Sequence, residues 1–186
     1  MGVVLFAGML PLVAAGLFSG VVVDRFDRKK IIVGTDLCRG LIVSLVAILH
    51  LQGALTFGLI LFSQVLLGLN SAFFNPTIPA VIPMIVGRGD LSKANAKTQF
   101  VAGFANIAGP AMGGLLVVLH GYFIVFALNA ASYFASALFE CFLKLPAIRT
   151  NTRETLRSAF KEGYRYIFAD GRLLVILFMV FVIHFF

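Results

Sequence analysis

Charge is scarce in this sequence: charged side chains make up only 12% of the 186 residues, against roughly 25% in an ordinary soluble domain. With 60% of residues hydrophobic and a mean hydropathy of +1.01, the chain lacks the polar surface to coat a water-soluble core, so an all-α integral membrane protein is expected. The net charge of +7 does not indicate a nucleic-acid partner, because such a protein gathers its cations on one solvated face of a folded domain. Here they occupy loops between apolar segments. The two cysteines, Cys38 and Cys141, both lie inside apolar runs and suggest neither a disulfide framework nor a redox compartment. The three histidines, His50, His120 and His184, fall in separate segments without ligand spacing, so no metal site is expected. There is no His-Glu-x-x-His, no nucleophile-base pairing and no phosphate-cradling Gly-Lys-Ser/Thr run. These absences disfavour an intramembrane enzyme and an ATP-driven pump, and no cofactor is implied. A secretory leader is disfavoured as well, since the first apolar run has no basic segment before it and a basic cluster after it.

The charge that is present is concentrated. Asp24-Arg25-Phe26-Asp27-Arg28-Lys29-Lys30 sets two carboxylates among four cations between two apolar segments. Charge bias alone orients a membrane protein, and any few Lys or Arg would serve that purpose. The acidic positions therefore carry further information. Since about 20 apolar residues cross a hydrocarbon core, five spans are expected at about 1–23, 31–51, 56–86, 98–120 and 122–143. Pro11 is expected to kink the first, where Gly2, Gly8, Gly16 and Gly20 offer close-packing surfaces. The third would be about 45 Å long as one straight helix, so Pro76, Pro79 and Pro83 are expected to break or tilt its later part. Gly121 makes a very short turn between the last two. A basic linker covers 144–171, and the final run, 172–186, reaches only about 22 Å as a helix. The loops 24–30, 87–98 and 144–172 hold 14 of the 15 Lys and Arg, which assigns that side to the cytoplasm.

Within the linker, Asn151 and Glu154 form a capping pattern, Leu156, Phe160, Tyr164, Ile167 and Phe168 recur at helical spacing, and Arg153, Arg157, Lys161 and Arg165 line a neighbouring face. Residues 151–168 are expected to form an amphipathic helix on the anionic inner leaflet, with membrane lipid as partner. A solvated linker is the plainer alternative. Inside the spans, Asp36 and Arg39 are three apart on one helix face. An unpaired Arg at a helix centre costs roughly 2.5–3.5 kcal/mol on insertion scales, so pairing with Asp36 or closeness to the cytoplasmic rim is expected. Glu140 and Lys144, four apart, suggest a simple surface pair. Gln64, Asn70 and Ser71 on the third span, and Gln99 and Asn106 on the fourth, are either cavity-lining groups or interhelical hydrogen-bonding groups.

The pattern Gly20-x-x-x-Asp24-Arg25-x-x-Arg28-Lys29-Lys30 resembles the signature loop of the major facilitator superfamily, which there joins the second and third helices on the cytoplasmic side. Asp27 stands where that signature usually has Gly, and Asp-Arg-Phe-Asp-Arg resembles a bacterial subgroup containing the enterobactin exporter and macrolide-efflux-like proteins. Asp36-Leu-Cys-Arg39, Phe73-Phe74-Asn75-Pro76 through Pro83, and Glu162-Gly163-Tyr164-Arg165-Tyr166 point the same way. Gly109-Pro110-Ala111-Met112-Gly113-Gly114 resembles the Gly-Pro-x-x-Gly-Gly core of the motif associated with exporters and antiporters. Drug-proton antiporters of the superfamily often carry an Arg where Gln64 precedes Gly68 here. Since glutamine holds no charge, coupling to protons would need other residues.

The resemblance implies a partial major facilitator fold: an N-terminal helical bundle (1–143) lacking its first helix, a cytoplasmic linker helix, and the truncated first helix of the C-terminal bundle. It further implies a small-molecule transporter of a bacterial inner membrane that works by alternating access, in the export direction, driven by a coupling ion such as a proton. Asp24, Arg25, Arg28, Lys29 and Lys30 are then a cytoplasmic latch, with Gly20 in the same signature. Asp36 and Arg39 are a gate pair, Gly109, Pro110, Gly113 and Gly114 an exporter-type kink, and Gln64, Asn70, Gln99 and Asn106 candidate cavity residues. An importer of the same superfamily and a non-transporting membrane scaffold remain as alternatives.

Overall fold

The computed structural model describes residues 2–145 together with Met179. The expected surface helix at 151–168 and, Met179 apart, the final run 172–186 lie outside the described residues. The chain divides into two compact units, Met1–Ile148 and Arg149–Phe186, and the four long helices all belong to the first. They are α1 (Gly2–Arg25), α2 (Arg28–Leu51), α3 (Phe57–Ile85) and α4 (Leu91–Cys141), with a single 3-10 turn, Arg88–Asp90, ahead of α4. No strand occurs among the described residues. Three of these helices, α2, α3 and α4, are long and apolar enough to cross a membrane, and α1 contributes a shorter apolar stretch, Gly2–Gly16.

The connections are short because local chemistry closes each helix. Only Phe26 and Asp27 separate α1 from α2. The Asp27 carboxylate accepts the backbone N–H of Lys29 at 2.9 Å, an N-cap that satisfies one of the orphan donors of the first turn. Helix α2 therefore begins at Arg28, three residues before the expected 31, and its first turn is made of cations. At its other end Gly53 takes φ +66, its N–H bonding to His50 O at 3.1 Å and that of Ala54 to Leu49 O at 2.9 Å. That is the paired-bond ending in which a glycine without Cβ is favoured. Thr56 then caps α3 through the N–H of Leu59 at 3.4 Å.

Of the break or tilt expected in the later part of the third span, the break does not occur: Pro76, Pro79 and Pro83 all lie inside one 29-residue helix. Each proline removes one backbone donor, but its fixed φ is helical, and a helix among neighbours tolerates the freed carbonyls. In α4 the interruption is Gly121, with φ 78 and ψ 174, a conformation that L-residues avoid. It separates a first limb, 91–120, from a second, 122–141. As one straight rod the 51 residues of α4 would reach about 76 Å, far beyond a hydrocarbon core of about 30 Å.

Helix α2 packs antiparallel against the second limb of α4. Lys29 Nζ donates to Cys141 O at 2.6 Å at the charged end, Gly40 faces Phe134 midway, and His50 meets Tyr122 and Phe126 edge-on at 5.9 and 6.1 Å at the far end. Helix α1 runs parallel to α3, with Gly8 against Gln64 and Gly68, and Pro11 also on Gly68. The buried apolar side chains are mostly small or branched, namely Val23, Ile32, Val43, Ala47, Ala72, Val81, Ala130 and Ala137. Small residues let helices approach closely where apolar burial gives no advantage over lipid. Large apolar side chains point outward instead, as at Phe100, Ile107 and Val118.

The two glycine contacts differ in what surrounds them. A Cβ at Gly68 would overlap the backbone carbonyl oxygen of Gly8, whereas a Cβ at Gly40 would come within 2.8 Å of the edge of the Phe134 ring. A ring on a flexible side chain can turn, and a carbonyl inside a helix cannot. Gly68→Ala is therefore expected to destabilise the purified protein by about 1–3 kcal/mol, the usual range for overpacking, and Gly40→Ala by less. The comparison is read from the two unfolding midpoints in detergent.

Candidate functional site

The candidate site lies at the end of the bundle where the α1–α2 connection, the start of α2 and the ends of α3 and α4 meet. Arg28, in the first turn of α2, donates through Nη1 to Ala80 O at 3.0 Å and to Met84 Sδ at 3.2 Å, both on α3. Its Nη2 reaches Asp24 Oδ1 at 3.5 Å. The next residue, Lys29, is bound to the last carbonyl of α4, where the negative end of the helix dipole favours a cation. Adjacent cations thus bind the ends of two different helices. The Asp24 carboxylate is 74% exposed, so its pair with Arg28 is a weak, solvent-screened one of about 0–1 kcal/mol. Arg25 also has an interaction partner, and Lys30 is exposed. Asp27, which departs from the usual signature, is the N-cap of α2 and not an interhelical group.

Two turns further along α2 lies the buried part. Arg39 Nη1 donates to Asp36 Oδ1 at 3.2 Å, and the residues are 7% and 2% exposed. Arg39 Nη2 donates to Ser71 Oγ at 3.2 Å on α3. The Ser71 hydroxyl donates its own proton to Leu67 O at 2.8 Å, which leaves its lone pairs for the arginine. The guanidinium carbon stands 4.3 Å from the centroid of the Phe74 ring and 5.8 Å from that of Tyr133 on α4, within reach of the attraction between a cation and a ring face. A single cation is therefore shared by α2, α3 and α4, through a carboxylate, a hydroxyl and two aromatic faces.

Glu140 differs from its expected role as a surface partner of Lys144. Among the described residues no ion pair joins them, Lys144 is exposed, and Glu140 Oε2 is buried without a hydrogen-bond partner. Tyr133, Ala137 and Glu140 recur at helical spacing on one face of the second limb. Since Tyr133 meets Arg39 and Ala137 is buried, that face is the one turned to α2. Sequence patterning missed Ser71, Phe74, Tyr133 and Glu140 as members of this cluster, because their partners are distant in the chain.

The remaining candidates are dispersed. Gln64 contacts Gly8 where α1 meets α3, and Asn70 Nδ2 donates to Leu66 O at 2.9 Å on its own helix. Gln99 and Asn106 are exposed on the first limb of α4. Pro110 does not break that limb, since the backbone of α4 departs from helical geometry only at Gly121. A Cβ at Gly109, Gly113, Gly114 or Gly20 would meet no neighbouring atom. The close approach expected at these glycines is therefore not made among the described residues. No group of three metal-binding side chains occurs among the described residues.

The whole chain, residues 1–186, matches the transmembrane secretion effector family of the major facilitator superfamily. It is 28% identical over 176 residues to the uncharacterized MFS-type transporter YfiS of Bacillus subtilis, covering 90% of this chain and 40% of the relative. It is 26% identical over 141 residues to macrolide efflux protein A of Streptococcus pyogenes, covering 76% of this chain and 35% of that one. Against the multidrug efflux pump Tap of Mycolicibacterium fortuitum it is 31% identical over 179 residues, covering 89% and 42%. The chain thus spans about two-fifths of the length of the curated relatives it matches. No solved structure matches it.

The two ion pairs at either extreme of burial give a direct contrast. Arg39→Ala leaves the buried Asp36 carboxylate without its cation, and breaking a buried pair in this way is expected to cost about 3–5 kcal/mol. Lys93→Ala removes the exposed pair with Asp90, whose side chains are 79% and 60% exposed, and should cost less than about 1 kcal/mol. Asp27→Ala, which removes the N-cap, falls between them at about 0.5–2 kcal/mol. Unfolding midpoints of the three variants in one detergent test this order.

Proposed function

The chain belongs to the transmembrane secretion effector family of the major facilitator superfamily, and on that premise we propose that it is part of an exporter of small molecules in a bacterial inner membrane. Its members are multi-pass membrane transporters, not enzymes. The exporter works by alternating access, driven by an ion gradient, and its cargo class includes drug-like and siderophore-like compounds. The names of the relatives, macrolide efflux protein and multidrug efflux pump, support the export direction. Gln64, Asn70, Gln99 and Asn106 are the residues proposed to face the cargo, and 151–168 the segment proposed to rest on anionic lipid.

The observation that carries the reading is the unequal strength of the contacts at the charged end. Arg28 and Lys29 are bonded to backbone at 3.0 and 2.6 Å on α3 and α4, while Asp24 holds Arg28 at only 3.5 Å and is largely exposed. The anchoring contacts keep the start of α2 in place as helices move. The Asp24 contact is weak enough to be made and broken at a cost near thermal energy, as a cytoplasmic latch requires. Gly109, Gly113 and Gly114, beside Pro110, present a helix surface without a Cβ-level neighbour, free for the close helix contact proposed for an exporter-type motif.

The test is to express the complete reading frame in an efflux-deficient bacterium and score resistance to macrolides, dyes and siderophores. Resistance that collapses with an uncoupler is expected, and Asp24→Asn is expected to abolish it while the protein still inserts to wild-type levels. Resistance unaffected by the uncoupler would remove the ion gradient from the proposal. Full resistance in the Asp24→Asn variant would remove the latch.

A further inference from the structure

Around Arg39 the numbers of acidic and basic groups do not match. One buried guanidinium has a buried carboxylate, Asp36, beside it and a second carboxyl group, the half-buried Glu140 of α4, near enough that both Asp36 and Arg39 act on it electrostatically. Only Asp36 is bonded to the arginine, at 3.2 Å. Glu140 Oε2 is buried and has no hydrogen-bond partner, although leaving a buried acceptor unmade typically costs about 1–3 kcal/mol, and more for a charged one. Such an atom needs a reason. Lys144, the cation nearest to it in sequence, is exposed and not paired with it.

The surroundings narrow the reason. On α2 the charged groups near this level are Asp36, Arg39 and, toward the helix start, Lys29, whose Nζ is taken by Cys141 O. On α3 there is no charged side chain at all, and the partners of Arg39 are Ser71 and the Phe74 ring. On α4 the charged group near this level is Glu140, with Ser136 one turn before it, and the Tyr133 ring faces Arg39. Arg39 is therefore the one buried cation within reach of Glu140 among the described residues. It is held by contacts that permit a choice, since a guanidinium carries five N–H donors in a planar fork and only one is given to a carboxylate here.

We propose that Glu140 is the alternate acceptor of Arg39, so that Asp36, Arg39 and Glu140 form a two-position charge switch in which the guanidinium passes from a carboxylate on its own helix to one on α4. With Arg39 on Asp36 the ion pair lies within α2, and no ion pair joins α2 to α4 among the described residues. With Arg39 on Glu140 the ion pair ties α2 to α4 directly. The Ser71 and Phe74 contacts hold the arginine between the two acceptors. In an alternating-access transporter the exchange accompanies a change in how α2 and α4 pack; that role rests on the function proposed above, whereas the exchange itself does not.

The test uses the complete protein in detergent and needs no cargo. Unfolding midpoints are measured for Asp36→Asn, Glu140→Gln and the double variant, then repeated with Arg39→Gln. Glu140→Gln should leave the midpoint unchanged or raise it, because an unpartnered oxygen is removed. Asp36→Asn should lower it only modestly, Glu140 taking over the arginine. The double variant should fall by more than twice the sum of the two single effects, or fail to insert while both singles insert. Glu140→Asp in the Asp36→Asn background should restore most of the loss, which a purely packing role for Glu140 would not do. With Arg39→Gln the excess should vanish. Additive midpoints, or an excess that persists without Arg39, would overturn the switch. Either result leaves the exporter reading to its own resistance test, so the two proposals fail separately.

Discussion

A charged side chain inside a membrane protein cannot be left to water, and the arrangement of α2, α3 and α4 is the solution this chain uses for Arg39. Its guanidinium is 7% exposed, in a setting where an unmatched arginine would cost several kcal/mol. Asp36 supplies the countercharge from within α2, Ser71 a hydroxyl acceptor from α3, and Phe74 and Tyr133 electron-rich faces from α3 and α4. The partners on α3 and α4 are useful only when the helices stand at one relative rotation and height. The cation therefore does more than pair locally. It specifies register among three helices whose apolar surfaces, equally content against lipid, could slide past one another.

The glycines perform the complementary task where no charge is available. Between α1 and α3 the close approach of Gly8 and Gly68 is possible only because Gly68 carries no Cβ at the contact. Dispersion and the fit of backbone against backbone replace the hydrogen bonds used elsewhere. At the charged end, polar contacts return. Asp27 starts α2, and the first two residues of that helix then bond the ends of α3 and α4. The dense run of charge at 24–30 is thus divided by function within a few residues: a cap, two anchors and one exposed carboxylate whose hold on Arg28 is weak.

That division bears on how a latch can work. A contact that is to open and close must be cheap, and a bundle that is to move as a unit must not come apart when it does. Screened, solvent-exposed pairs such as Asp24 and Arg28 meet the first condition. Backbone-directed bonds from Arg28 and Lys29 meet the second, since main-chain carbonyls cannot rotate away as side chains do. Two turns deeper, Arg39 bonds Asp36 while Glu140 Oε2 lies buried without a partner, so the alternative acceptor proposed above lies in the buried layer and not at the rim.

Much of this was determined by the sequence alone. Apolar runs of about 20 residues must be helices in a membrane, because no water remains to satisfy an open backbone, and the charged loop at 24–30 with Gly109–Gly114 pointed to the family. The spacing of Asp36 and Arg39 announced a pair, because i and i+3 share a face of any helix. The tertiary structure alone decided what surrounds that pair. Ser71, Phe74, Tyr133 and Glu140 are separated from Arg39 by tens of residues, and no period in the chain reveals which helix face meets which. The same limit explains two of the departures from expectation. Glu140 looked like a surface partner of Lys144 because its burial is set by α2, and the three prolines of α3 looked like a break because the neighbours that let a helix continue through them cannot be read from the segment itself.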